Sequence, residues 1–226
     1  MEMKTILQDS TAYAIASVWK QWKRWVILTI MSVIFPFILG YMMEIYRGRD
    51  PAPEPGQWVK LFIDGLKLLA AGIIYMVPVI IIILATLIPM LPYLLAVVPA
   101  AGELVTGPDI PGSSLILIAG GILLAGIAGI ILTLISSIGI VRMARTETFT
   151  EAFNMSAILA TIARIGWGSY ILAMIILLVV IIAITLILWP LDSIPYIGWL
   201  IGFFLEVPLT IFEARYMTRI YDEAGE

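Results

Sequence analysis

The sequence contains no cysteine and no histidine, and only 13% of its 226 residues are charged. Without cysteine there is no disulfide and no thiol chemistry. Without histidine, the usual zinc sites, histidine-based catalytic triads and histidine proton relays are excluded. The net charge is −3, from 13 basic and 16 acidic residues, so a basic surface for nucleic acid is not expected. No catalytic or cofactor-binding motif appears either, and we therefore expect a protein that is not an enzyme and holds no cofactor or metal.

Apolar residues are present in excess. They make up 62% of the chain, and the mean hydropathy is +1.06, whereas soluble domains carry about 45–50% apolar residues. This composition predicts an all-α, polytopic transmembrane bundle, because a span needs about 20 apolar residues. We expect an amphipathic N-terminal segment at 1–25 and one transmembrane domain at 26–226. Its five predicted spans are 26–46, 68–88, 115–141, 168–188 and 194–216.

Basic residues indicate the orientation of the spans. They follow the first, third and fifth spans, whereas the connections after the second and fourth spans contain no lysine or arginine. Because lysine and arginine are enriched in cytoplasmic loops, we expect these three spans to end in the cytoplasm of a cell membrane, and the C-terminus to lie there. The residues on which this rests are Arg47, Arg49, Lys60, Lys67, Arg142, Arg145, Arg164, Arg215 and Arg219.

A second basic cluster, Lys20, Lys23 and Arg24, contradicts this orientation, because five spans would place it outside the cell. Two explanations remain open. The first span either breaks at Pro36 and re-enters, which leaves the N-terminus in the cytoplasm, or residues 1–25 form an amphipathic helix whose basic residues bind outer-leaflet headgroups. We expect five true spans.

The phrase Tyr-Met-x-x-Ile-Tyr occurs twice, at residues 41–46 and 216–221. Each copy ends a predicted span and is accompanied by arginine. Tyrosine and arginine both favour the membrane interface. The repeated phrase therefore indicates either an internal sequence repeat or two separate uses of the same interfacial residues.

Two stretches are predicted to form amphipathic helices on the cytoplasmic surface. They follow the basic residues after the first and third predicted spans. The first carries Trp58 and Phe62 four residues apart, and the second carries Phe149 and Phe153 at the same spacing. Residues 148–151 match a capping box at the start of the second helix.

Asp64 precedes Gly65 where the first surface helix is expected to bend into the second span. The aspartate either binds a cation or partner, or serves as a cap or an ion-pair partner of Lys60 or Lys67.

Several of these residues form a recognisable pattern: a Gly-Tyr that ends the first span, basic residues, a proline-rich loop, a tryptophan, Asp-Gly-Leu and Tyr-x-x-Pro. This pattern resembles the uncharacterised archaeal and bacterial membrane family "domain of unknown function 4013". The resemblance implies a multi-pass helical fold and no particular reaction. The residues that carry it are Gly40, Tyr41, Arg47, Arg49, Pro51 to Pro55, Trp58, Asp64, Gly65, Leu66, Tyr75 and Pro78, with the later stretches RIGWGSYILA and IPYIGWLIGF.

Glu206 is the outstanding polar residue, because it falls near the middle of the fifth predicted span. A charge at that depth costs about 2.5–3.5 kcal/mol on insertion scales. Glu206 is therefore either a proton or cation site, or a structural group that binds a neighbouring helix or pairs with Arg142 or Arg164.

In the third predicted span, Gly121, Ala125 and Gly129 recur every four residues. Such small-residue faces let helix backbones approach closely. The face packs either within the monomer or against another copy in a homo-oligomer.

The connection from Pro89 to Ser114 is apolar and rich in proline, which indicates an interfacial or re-entrant lid. The leading hypothesis for function is an integral membrane protein that organises lipids of the bilayer or protein partners through its surface helices. The alternative is a small ion- or proton-coupled channel or transporter that uses Glu206. A lipid-modifying enzyme has the least support.

Overall fold

A computed structural model describes residues 2–92, 111–192, 194 and 197–225 of the chain. This part of the chain is helical and contains no strand, which confirms the predicted all-α class. Most of the predicted lid at 89–114 lies outside the described residues. The helices are α1 (Met3–Val18), α2 (Trp22–Val33), α3 (Phe35–Tyr46), α4 (Trp58–Leu87), α5 (Gly112–Thr146), α6 (Met155–Ile165), α7 (Trp167–Asp192) and α8 (Gly198–Asp222), with short 3-10 turns at Ile88–Met90 and Phe149–Phe153.

Three segments are long and apolar enough to cross a membrane: Trp58–Met90, Gly112–Thr146 and Trp167–Leu191. They contain the second, third and fourth predicted spans. Helix α4 continues through Pro78, and apolar helices tolerate proline when neighbouring groups satisfy the freed carbonyl. Most of the side chains in these segments point outward and are apolar, as lipid contact requires.

The first predicted span is not one helix. Residues 26–46 are divided between α2 and α3, which have 12 residues each and are separated by Ile34. A helix of this length extends about 18 Å, well short of the roughly 30 Å of hydrocarbon. Pro36 lies in the first turn of α3, where proline is tolerated. Deeper in a helix it could not donate to the carbonyl one turn earlier, and its ring would clash there.

The start of α2 and the end of α3 meet at the same loop, residues 47–57. Arg24, in the first turn of α2, is ion-paired with Glu54 of that loop. The hydroxyl of Tyr41 in α3 donates to the carbonyl of Pro53, at 3.0 Å. The turn between the two helices is apolar and exposed, at Val33, Ile34 and Phe35. Helices α2 and α3 therefore form a hairpin whose two arms both contact the 47–57 loop.

Helix α8 replaces the fifth predicted span, beginning and ending later than the predicted 194–216. Its C-terminal half is largely buried, and α1 packs against it. The predicted amphipathic segment 1–25 is thus α1 and the start of α2. One face of α1 is buried against protein at Ile6, Tyr13 and Ala14.

The chain divides into two compact units, Met1–Gly72 with Leu134–Glu226, and Ile73–Thr133. The hydrophobic core lies in the first unit, where Tyr170 and Tyr216 are fully buried. The hydroxyl of Tyr170 donates to the carbonyl of Leu134 at 2.6 Å, and that of Tyr216 to the carbonyl of Ala173 at 3.0 Å. The assignment of residues 26–226 to one domain stays a prediction.

The two copies of the repeated phrase lie at the ends of α3 and α8 and touch each other. Thr218 donates from its hydroxyl to the carbonyl of Ile45, at 3.2 Å. The tyrosines of both copies are buried, Tyr46 and Tyr221 among them. The phrases therefore form a helix contact inside the protein, whereas the internal repeat itself stays a prediction.

Candidate functional site

Helices α3 and α4 cross with their backbones in contact. A Cβ atom on Gly40 would overlap the carbonyl of Leu61, and one on Gly65 would overlap the carbonyl of Pro36. Only glycine permits this approach at the two positions. The crossing brings the last turns of α3 beside the first turns of α4, where charged residues from both helices meet.

The charged residues around this crossing form a network, which we call the α3–α4 charge cluster: Glu44, Arg47, Arg49, Lys60, Asp64, Lys67 and Glu147. Arg47 is its centre. Its two terminal nitrogens donate to Glu44 Oε1 and Asp64 Oδ2, both at 2.7 Å. Its Nε lies 3.3 Å from Glu147 Oε1.

Asp64 was predicted to be a cap, a binding residue or a partner of Lys60 or Lys67. The structure places it 3.4 Å from Lys67 Nζ, and Lys60 instead pairs with Glu44 at 2.8 Å. The main partner of Asp64 is Arg47, which sequence reasoning missed. The available signal was that Arg47 and Asp64 both belong to the pattern that carries the family resemblance.

An open groove of about 750 Å³ lies over the cluster. Its charged lining comes from Arg47, Lys60, Asp64, Lys67 and Glu147, and its apolar lining from Trp58, Val59 and Ile63. The three apolar side chains are all exposed. The groove therefore combines positive charge with an apolar wall at the start of a membrane-length helix.

A second network holds the loop to α1 and α8. Arg215 donates to Asp9 Oδ2 and Asp50 Oδ2, both at 2.8 Å, and its guanidinium lies 4.4 Å from the ring centroid of Tyr13. The Tyr13 hydroxyl donates to the carbonyl of Arg49, at 2.8 Å. Burial raises the pKa of Tyr13 to about 12.

The end of α5 adds further ion pairs, and we call these together with the two networks above the charged layer. Arg145 pairs with Asp222 at the end of α8. Its guanidinium also packs closely on Gly48 of the loop, where an added Cβ would lie only 2.8 Å from Nη1. Arg142 binds Glu151 at 2.6 Å. Hydrogen bonds from Arg142 and Asn154 lower the pKa of Glu151.

The predicted capping box at 148–151 is wrong. The side chain of Thr148 makes no capping hydrogen bond, and residues 149–153 form a 3-10 turn. Asn154 instead caps α6, where its Oδ1 accepts from the backbone N–H of Ala157. The carboxylate of Glu151 accepts a hydrogen bond from Arg142 of α5. It therefore does not reach back to Thr148, as a capping box would require.

The two predicted surface helices differ from expectation. Trp58 and Phe62 lie in the first turns of α4, which continues without a break into the membrane-length segment. Both rings contact Phe37, with centroids 5.7 and 5.2 Å apart. Phe149 and Phe153 contact each other, with centroids at 5.5 Å, and pack against the core.

The structure gives the predicted intramembrane polar residues separate surroundings. Arg142 binds Glu151, and Arg164 donates to Thr161 Oγ1 at 3.3 Å. Glu206 is exposed and lines a separate groove of about 400 Å³ with Thr185 and Trp189.

The small-residue face of α5 is used in part. A Cβ on Gly121 would overlap Thr86 of α4, and Ala125 is buried. Gly129 has open space, since a Cβ there would meet no described atom within 4 Å. The close approach is therefore made at the Gly121 end of the predicted face.

These features define an all-helical protein with three membrane-length apolar segments and a dense layer of ion pairs around one loop. The chain belongs to the family of proteins of unknown function DUF4013, whose family model matches residues 26–191. This confirms the resemblance seen in the sequence. No curated protein and no solved structure matches the chain. The α3–α4 charge cluster lies within the matched residues, whereas Asp9 and Arg215 lie outside them.

Proposed function

We propose that this protein is a multi-pass integral membrane protein that gathers anionic lipids at its charged layer. The groove over the α3–α4 charge cluster carries this proposal. Its lining places the half-exposed Lys60 and Lys67 beside the exposed Trp58, at the start of a membrane-length helix. Tryptophan favours the headgroup level, and each basic residue near an anionic membrane surface contributes about 1 kcal/mol of attraction.

The topology that we propose has four crossings, by α4, α5, α7 and α8, and a re-entrant α2–α3 pair. Three of these crossings are the membrane-length segments, and the fourth, by α8, is part of the proposal. Three observations support the re-entrant pair: neither α2 nor α3 is long enough to cross, Arg24 pairs with Glu54, and the turn between α2 and α3 is apolar. Both termini then lie with the basic loops, in the cytoplasm. This arrangement removes the conflict posed by Lys20, Lys23 and Arg24.

The topology can be tested with single cysteines, because the natural chain has none. We expect cysteines at Glu2→Cys and Glu223→Cys to react with a membrane-impermeant maleimide in inverted vesicles and not in intact cells. Ser113→Cys, at the start of α5, should show the opposite pattern and serves as the control. Labelling of Glu2→Cys in intact cells would refute the re-entrant pair and restore a crossing at 26–46.

For lipid recruitment, we expect the purified full-length protein to retain phosphatidylglycerol in preference to phosphatidylcholine. The preference should weaken as ionic strength rises, because exposed charges are screened beyond about 8–10 Å at physiological salt. Native mass spectrometry of protein released from mixed-lipid nanodiscs measures the lipids that remain bound. Equal retention of the two lipids at low salt would contradict the proposal.

A channel or transporter built on Glu206 is the second candidate. One observation favours it: the Glu206 side chain is exposed in a groove lined also by Thr185. Proton or cation flux into proteoliposomes, lost in Glu206→Gln without loss of folded protein, would establish this function. Flux that is absent, or unchanged in the variant, would remove it.

A further inference from the structure

We propose that the groove over the α3–α4 charge cluster is a binding site for the phosphate of an anionic lipid headgroup, which takes the place of the Glu147 carboxylate beside Arg47. This inference rests on the proposed recruitment of anionic lipids and assigns it to one site. It also gives Glu147 a role, as an internal anion that competes with the lipid.

The charge balance of the cluster supports this role. Four cations, Arg47, Arg49, Lys60 and Lys67, face three carboxylates. The carboxylates of Glu44 and Asp64 are enclosed, with 11% and 5% of their side chains exposed, whereas Glu147 is 66% exposed. When Glu147 moves away, the cluster keeps an excess of two positive charges, more than enough to attract the single negative charge of a lipid phosphodiester.

Arg47 has an unused donor at the same place. Its side chain is 9% exposed and lines the groove. Its Nε is buried and makes no hydrogen bond among the described residues, although a carboxylate oxygen of Glu147 lies 3.3 Å away. Buried donors are normally satisfied. A phosphate oxygen in place of the carboxylate would accept this bond, and arginine is well suited to phosphate.

Glu147 occupies a backbone conformation that disfavours its side chain. It follows directly after α5 with φ of 54°, in the left-handed region where helices commonly end on glycine. A non-glycine residue held there is strained, and such strain concentrates at binding and switch sites. The carboxylate thus reaches Arg47 from a position that does not favour glutamate.

The apolar wall of the groove identifies the ligand as a lipid and not free phosphate. Trp58, Val59 and Ile63 line the groove with their side chains exposed. Free phosphate has no apolar surface that could pack against these side chains. A lipid places its phosphate on the basic residues and its glycerol and upper acyl chains along the apolar side of α4.

The test measures displacement of a headgroup-labelled phosphatidylglycerol from the full chain in phosphatidylcholine nanodiscs. The double variant Lys60→Gln/Lys67→Gln should raise the Kd roughly 25-fold, because each basic residue contributes a factor of about five. Its control, Lys4→Gln/Lys23→Gln, removes the same charge from exposed positions and should change the Kd by less than about twofold, because neither lysine lines the groove.

Removal of the competing anion should strengthen binding. Glu147→Gln and Glu147→Gly should each lower the Kd about fivefold, by analogy with one charge at a membrane surface. The glycine variant also relieves the backbone strain, so an effect shared by both variants comes from the lost carboxylate. Glu2→Gln, which makes the same charge change at an exposed residue of the N-terminus, should leave the Kd unchanged.

The outcomes separate this inference from the function on which it rests. If the wild-type protein shows no preference for phosphatidylglycerol, the proposed function and the site both fail. If the preference exists but the groove variants behave like their controls, only the site is overturned. Competition by inorganic phosphate as effective as that by the lipid would also overturn it, because the apolar wall would then contribute nothing.

Discussion

Gly65→Ala is expected to lower the free energy of unfolding by at least about 3 kcal/mol, the upper part of the range for overpacking a well-packed site. The new methyl group would occupy the position of the Pro36 carbonyl. The obstacle is backbone, so no side chain can rotate away to make room. Helices α3 and α4 would have to separate, and the contacts between Arg47 and Asp64 would lengthen or break.

Denaturant unfolding in detergent measures the effect, with Gly72→Ala as the control. Gly72 lies in the same helix, and a Cβ there would meet no described atom within 4 Å. Alanine is the better helix former by about 1 kcal/mol, so the control should be neutral or slightly more stable. Equal stabilities for the two variants would show that α3 and α4 do not cross as closely as the structure indicates.

Arg215→Gln is expected to cost about 2–3 kcal/mol. The Arg215 side chain is 6% exposed and holds α1 through Asp9 and the loop through Asp50. Breaking a fully buried ion pair costs about 3–5 kcal/mol. The expected loss here is smaller because Asp50 is 63% exposed and regains water when its partner is removed.

Arg219→Gln is the matched control, since it removes the same charge one turn further along α8. Arg219 is 37% exposed and lies 3.2 Å from the same Asp9 oxygen. An ion pair this exposed usually contributes about 0–1 kcal/mol to the free energy of unfolding. Protease accessibility of α1 should rise in Arg215→Gln and remain unchanged in Arg219→Gln. A loss of the same size in both variants would indicate that only net charge matters at this position.

Local apolar content was sufficient to predict α4, α5 and α7. The apolar stretch of each buries little of its surface within the described structure, so its extent follows the length of its own hydrophobic run, which is long enough to cross a bilayer. The same reasoning failed for residues 26–46, where the composition is equally apolar. There, Pro36 lies in the first turn of a new helix. Arg24 and Trp25 hold α2 to the loop and to α8, and Tyr41 holds α3 to the loop.

The sequence by itself determined the helical class, the membrane-length segments and the membership of the family, because these depend on composition and on patterns along the chain. Only the tertiary structure decided the partners of the charged residues. Arg47 meets Asp64 and Glu147, and Arg215 meets Asp9, across separations from 17 to 206 residues. The physical reason is that a charged side chain in an apolar fold pairs with whichever opposite charge the helix crossings bring within reach. At the α3–α4 crossing, that approach depends on the backbone contacts at Gly40 and Gly65.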